Sequence, residues 1–436
     1  MPDIIHVDLA LIDDEFRSGI QVVVDSDGTI ERVGPPDATP TVRLGGEALL
    51  PGLINVHSHA FQRALRGKTE RFAGAEGTFW SWRNQMYALA AQLDAADLRR
   101  VCVAAFREML SRGITTVGEF HYLHHDAGCE GYAFDEVVLN AAAEAGIRIV
   151  LLNTYYATGS IGQPLAGAQR RFGSNDLDTF LAQCDRLRGR LNGQTQQLAL
   201  AAHSIRAVPI HDVVALARQA EQAGCVLHMH VEEQLREIDE CRQAYGASPL
   251  ELLLDRADLG PFFTAVHCTH STPHALAEFA EAGGNVCLCP ITEAHLADGV
   301  ADVRSLQSED GAICLGSDSN VRVDLFEEMR WLEYAQRLRL QSRGILRDGA
   351  GAVAPCLWRS ATRYGARALG VNAGTISAGR LADFFTVDLA HPSLCDAAPD
   401  ELLETLVFSS DAGAIRRVCV GGKWVVGPDA GRDRQT

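Results

Sequence analysis

Short apolar runs recur along the chain, each closing on polar residues and most followed by a stretch with helical spacing. Eight runs stand out, at 49–57, 114–122, 147–155, 198–204, 225–231, 262–268, 285–290 and 312–316. Unbroken apolar runs of this length suit parallel strands buried on both faces, because a strand with one wet face would alternate instead. Between most of them lie Ala-, Leu- and Arg-rich segments at 97–112, 134–145, 211–223, 249–256 and 273–282 that read as helices. Several are followed by a glycine (Gly113, Gly146, Gly224 and Gly283), the residue that most readily takes the left-handed turn ending a helix. Eight alternating βα units predict an α/β fold, a (β/α)8 TIM-type barrel occupying 49–377. In such barrels the chemistry gathers at the C-terminal ends of the strands.

The two ends of the chain follow another rhythm. Residues 1–48 and 378–436 alternate in strand fashion, as at 21–25 and 418–420, and are broken by Gly and Asp turns. They predict one small β domain built from both termini and bracketing the barrel. Residues 159–196 are long for a βα connection and carry their own helical pattern around 177–191.

Composition narrows the class without changing this picture. With 47% hydrophobic and 22% charged residues over 436, the chain is globular, which excludes wholesale disorder and a collagen-like fibre. A formal charge of −17 argues against nucleic acid or an anionic membrane as partner. No run of about 18 uncharged apolar residues predicts a membrane span. The acidic N-terminus lacks the features of a secretory signal, so a soluble cytoplasmic protein is expected. The twelve dispersed cysteines, with no Cys-x-x-Cys pair, read as small core residues more than as disulfides.

The polar residues that could do chemistry fall where the apolar runs stop. His57 and His59 end the first run, and alternate residues of a strand share a face, so both imidazoles can address one ion. The fifth run ends in His228 and His230 and then Glu233; the sixth ends in His267, with His270 close by; Asp318 follows the eighth. Sites of this kind at one end of a barrel predict a metal centre with oxygen and nitrogen ligands, suited to Zn²⁺, Fe²⁺ or Mn²⁺. With a position left for water, hydrolysis is the expected chemistry, since a metal lowers the water pKa from 15.7 towards about 7. The chain has only two lysines, Lys68 and Lys423, and neither lies on a central strand. A carbamylated-lysine bridge between two ions is therefore excluded, and a single ion is expected.

Longer strings carry a resemblance. Residues 51–59 (PGLINVHSH), His230, His267, 316–318 (GSD) and 378–384 (AGRLADF) resemble the amidohydrolase superfamily over nearly the whole chain. Within it, 59–64 (HAFQRA), 78–83 (TFWSWR), 289–294 (CPITEA) and 328–334 (EMRWLEY) are similar to the formimidoylglutamate deiminases. That resemblance implies hydrolysis of N-formimino-L-glutamate, in histidine degradation, to N-formyl-L-glutamate and ammonia. It implies His57, His59, His230 and Asp318 as metal ligands, with zinc the foremost ion. Asp318 would also take the water proton, and Glu233 and His267 would serve as acid and base. Gln62, Arg83, Tyr122, His203 and Arg206 would bind the small dianionic substrate, and the protein would be a homodimer.

Each role has a structural alternative. Glu233 could be a solvated loop acid, His267 a satisfied core histidine, Arg83 a stacking partner of Trp80 or Trp82, and Arg206 half of an ion pair. Tyr122 and His203 could simply hydrogen-bond the barrel rim, and His228 reads as a support more than a ligand. Trp80, Trp82 and Trp331 read as packing residues, while His121, His124 and His125 form a cluster with no assigned role. The chain departs from the family pattern at Glu232, beside Glu233, and at Asn320. An added carboxylate near the site is expected to repel a dianion. Another amidine or an aminated heterocycle is thus the alternative substrate, and a non-catalytic scaffold is the remote one.

Overall fold

A computed structural model describes residues 3–72, 77–306, 313–428 and 430. Ala312, the first residue of the eighth apolar run, and 1–2, 429 and 431–436 of the terminal segments lie outside the described residues. Seven strands form one sheet: β1 (Asp3–Ile12), β2 (Glu15–Val24), β3 (Ile30–Gly34) and β4 (Val42–Pro51) from the N-terminal part, joined later by three more. Eight parallel strands follow as β5 (Leu53–Ser58), β6 (Ile114–His121), β7 (Arg148–Tyr155), β8 (Gln196–Ser204), β9 (Leu227–Val231), β10 (Phe263–His267), β11 (Asn285–Leu288) and β12 (Ile313–Leu315). The chain then returns to the first sheet through β13 (Phe384–Asp388), β14 (Ile415–Val420) and β15 (Lys423–Val426).

The eight apolar runs are the eight barrel strands, buried along nearly their whole length. They pair in sequence order from β5 to β12. The circle is closed by a parallel bridge between Ser58 and Asp318, where His59 N–H donates to Asp318 O at 2.9 Å and Asp318 N–H to His57 O at 2.9 Å. Closure and site thus share residues: joining first strand to last brings Asp318 beside His57 and His59. The first run differs from expectation. Residues 49–51 end β4 and pair antiparallel with β13, and only Leu53 onward enters the barrel beside β6. Gly52 makes the passage, since a Cβ there would lie 2.1 Å from the Thr115 hydroxyl.

The helical segments appear within a residue or two of their predicted bounds, as Ala95–Ser111, Ala133–Ala145, Ile210–Ala223, Pro249–Arg256 and Pro273–Glu281. The segment around 177–191 contains the helix Leu177–Arg188. The terminal sheet runs β15-β14-β13-β4-β1-β2-β3 and has its own apolar cluster, including Ile5, Val7, Val22 and Phe384. It is clamped to the barrel where Arg148, at the start of β7, donates to both oxygens of Asp383 at 2.6 and 3.0 Å, all buried. Eight of the twelve cysteines are buried, as small core residues are. Among the described residues no helix is long and apolar enough to cross a membrane. One packing expectation fails: Trp331, on the helix Leu325–Leu340, is 41% exposed.

Candidate metal centre and active-site cleft

Four predicted ligands meet at the C-terminal mouth of the barrel. His57 and His59 alternate on and just past β5, His230 comes from β9, and Asp318 follows β12 in a left-handed turn, φ +46°. The three Nε2 atoms stand 3.2 Å (His57–His59), 3.4 Å (His59–His230) and 3.2 Å (His57–His230) apart. Asp318 Oδ1 lies 3.4 Å from His57 Nε2 and 3.3 Å from His59 Nε2. Two tautomers are fixed from behind: His59 Nδ1–H donates to Phe120 O at 2.9 Å, and His230 Nδ1–H to His203 O at 2.8 Å. Their Nε2 atoms therefore present lone pairs, not protons, to each other. Lone pairs and a carboxylate converging in a buried space repel unless a cation sits among them. Ligands at about 2.0–2.1 Å on a tetrahedral ion stand about 3.3–3.4 Å apart, which matches this spacing.

The protonation states suit that reading. Burial lowers His57 to about 3, and burial first, then neighbouring histidines, holds His230 well below its ordinary range. Burial also lowers His59. Neutral imidazoles are what a metal needs. Burial alone would raise the Asp318 carboxyl, but His57, His59 and His267 together hold it well below the usual carboxylate range.

Beside this group, His267 closes β10 with its Nε2 3.8 Å from Glu233 Oε1 and 3.8 Å from Asp318 Oδ2. Burial opposes its charging, yet Glu233, Glu293 and Asp318 raise it to about 10. Glu233 is buried, not solvated, and burial pushes its carboxyl up against the pull of His267 and Arg206.

All five predicted substrate-binding residues line one cleft that opens onto His59, His230, Glu233 and Asp318. Gln62 Nε2 donates to the Tyr122 hydroxyl at 2.8 Å, and its Oε1 is buried without a partner. His203 Nδ1 meets Ser204 Oγ at 3.0 Å. Arg206 Nη2 donates to Glu233 Oε2 at 3.2 Å, with Glu237 Oε2 3.9 Å from its Nε. The Arg83 guanidinium lies over Trp80 at 4.4 Å and near Tyr87 at 5.4 Å. The stacking and ion-pair alternatives are therefore both present, and neither takes its arginine out of the cleft. Trp80 and Trp82 also line the cleft, more than packing residues would.

Glu237 joins this group with little sign of it in the sequence. It is fully buried, burial raises it to about 7 against the pull of Arg206, and its Oε2 accepts the Glu233 N–H at 3.3 Å. Only its place four residues after Glu233 hinted at this, and a helical acid ordinarily faces water. Glu232 corrects the expectation of repulsion. With φ +54° it turns away from the cleft, and its Oε1 accepts the Leu250 N–H at 2.9 Å near the start of the helix Pro249–Arg256. Asn320 braces the turn that carries Asp318, accepting from Ser317 Oγ at 2.7 Å and donating to Ser58 Oγ at 3.0 Å.

Four further histidines make hydrogen bonds that support the fold. His228 Nε2 donates to Ala368 O at 2.8 Å. Both ring nitrogens of His124 face acceptors, Asp135 Oδ1 and Thr154 O, each at 2.8 Å. With His121 Nε2 at 3.1 Å from the same Asp135 oxygen and Gln183 donating to the other at 3.1 Å, this cluster braces the exit of β6. His125 bonds Gly173 O at 2.8 Å in the neighbouring loop.

The amidohydrolase family profile matches residues 48–425. The chain is 37% identical to a formimidoylglutamate deiminase of Pseudomonas aeruginosa, over 99% of this chain and 96% of that protein. It is 29% identical to a 5-methylthioadenosine/S-adenosylhomocysteine deaminase of Natronomonas pharaonis, over 93% and 88%. Among solved structures, an amidohydrolase from Brucella melitensis superposes with a TM-score of 0.89 at 31% identity, covering 98% of this chain and 95% of that one.

Proposed function

The chain belongs to the amidohydrolase family, and on that premise we propose that it is a metal-dependent formimidoylglutamate deiminase. It would hydrolyse N-formimino-L-glutamate to N-formyl-L-glutamate and ammonia, in histidine degradation. The observation that carries this reading is one cleft that joins a convergent His₃Asp group to two arginines, Arg83 and Arg206, suited to carboxylates. The 37% identity to a formimidoylglutamate deiminase of Pseudomonas aeruginosa supports the same choice.

His57, His59, His230 and Asp318 are the residues that would hold one divalent ion, zinc foremost, with iron or manganese as alternatives. When bound, such an ion supplies an activated water at neutral pH. In this reading Asp318 accepts the water proton through its carboxylate. Glu233, facing His267 Nε2 at 3.8 Å, delivers a proton to the departing nitrogen. His267, charged and between the two acids, shares the proton transfers with Glu233. Arg83 and Arg206 take the two carboxylates, and Gln62, Tyr122 and His203 supply neutral hydrogen-bonding groups beside them. A homodimer working in the cytoplasm belongs to the same proposal.

The test is ammonia release from N-formimino-L-glutamate by zinc-loaded protein, with a chelated sample as control. Metal-dependent release with N-formyl-L-glutamate as co-product is expected. A metal-loaded, folded sample that releases none would contradict the proposal.

A further inference from the structure

His267 is held in a manner that its neighbours in the cleft do not explain. It ends β10 with φ +79°, a left-handed conformation costly for a residue with a side chain. The residue is wholly buried, and its Nε2, facing Glu233 and Asp318, has no hydrogen-bond partner. On the other edge of the ring, Nδ1 faces Glu293 Oε1 at 3.4 Å. Glu293 comes from the neighbouring βα unit, in the helix Pro290–Leu296 that follows β11, and is only 6% exposed. Its carboxylate is pinned, because the same oxygen accepts the Cys289 N–H at 2.9 Å. Its backbone is fixed as well, since the Asp298 N–H donates to its carbonyl at 2.9 Å.

A carboxylate behind a histidine sets which ring nitrogen carries the fixed proton and where the other nitrogen points. We infer that Glu293 is the positioning residue for His267: it accepts the Nδ1–H and thereby presents Nε2 between Glu233 and Asp318. The inference rests on the role proposed above for His267. The Nδ1 proton stays on the ring throughout, and only Nε2 exchanges a proton with the reacting groups. Glu293 touches neither substrate nor metal, so its effect is on turnover and not on binding.

Glu293→Gln separates this role from a purely structural one. Glutamine keeps an oxygen to accept the Cys289 N–H but loses the charge facing Nδ1. The expected result is a fall in kcat of about 10²-fold or more, by analogy with carboxylate–histidine pairs in other hydrolases. KM and metal content should stay within about twofold of wild type, and Glu293→Asp should recover part of the loss. A Glu293→Gln protein with near-wild-type kcat, or one in which KM moves as much as kcat, would overturn the inference. A second readout needs no variant of Glu293. In ¹⁵N-histidine-labelled, zinc-loaded wild-type protein, the resonance missing from His267→Gln should show its proton on Nδ1, and a bare Nδ1 would overturn the inference. Wild type that fails to release ammonia from N-formimino-L-glutamate would instead sink the proposed substrate, while the Nδ1 resonance would still judge the Glu293 contact.

Discussion

Replacing Arg206 by alanine acts on stability and on binding through the same guanidinium. Arg206 is buried between Glu233 at 3.2 Å and Glu237 at 3.9 Å, and one Glu237 oxygen already lacks a partner. Removing one partner of a buried ion pair costs about 3–5 kcal/mol when the remaining charge stays ionised. At about 2.1 cal/mol/K per residue, unfolding 436 residues carries about 0.9 kcal/mol/K, so Tm falls by about 3–5 K. The deficit depends on pH. Glu237 sits at about 7 with Arg206 pulling it down, so without Arg206 it rises further, and Glu233 rises with it. A carboxyl whose folded pKa exceeds its unfolded value contributes stability at low pH that is lost as pH climbs through the folded pKa. The variant's Tm deficit should therefore be small near pH 6 and widen towards pH 9. Substrate binding loses a charge-assisted hydrogen bond of about 1.5–3 kcal/mol, a rise in KM of about 10- to 150-fold. Lysine should not restore it, because a point charge cannot match one carboxylate bidentately as the planar fork does. Thermal melts of zinc-saturated wild type and variant across this pH range, with KM at pH 7.5, decide the matter. A deficit independent of pH together with an unchanged KM would refute the reasoning.

Glu233→Gln and His267→Gln should each lower kcat by about 10²–10⁴-fold while the protein keeps its metal by elemental analysis. His57→Ala, His59→Ala and His230→Ala should instead lose the metal, and with it the metal-dependent rise in Tm shown by wild type on zinc addition. Glu232→Ala tests where that acid points. Because it accepts the Leu250 N–H away from the cleft, kcat/KM should stay within about twofold while stability falls by about 1–3 kcal/mol in denaturant melts. A marked gain in affinity for the dianion would show that Glu232 does act on the cleft.

Much of this arrangement is visible in the sequence because barrel strands are buried on both faces and their polar residues cluster at one end. His57 and His59, two residues apart, already share a face before any tertiary contact is known. The split of the first run at Gly52 was not readable, since Leu49–Leu50 and Leu53–Ile54 are equally apolar though they belong to different sheets. Glu237 and Glu293 look like ordinary helical acids, and only the packing of other elements buries them. Glu232 shows the same limit in reverse: its closeness to Glu233 in sequence implied a shared site, but one left-handed residue sends the two carboxylates apart. His121, His124 and Asp135 resemble a second ligand set in spacing alone, and their hydrogen bonds reveal a brace.

The central claim is that this cleft is built for a dicarboxylate amidine and not for a neutral ring. The most direct test compares kcat/KM for N-formimino-L-glutamate with that for 5-methylthioadenosine on the same zinc-loaded preparation, in wild type and in Arg83→Ala. A preference for the dianion of at least about 10³-fold is expected, reduced by at least tenfold in the variant. A preference for the heterocycle, untouched by loss of Arg83, would contradict it.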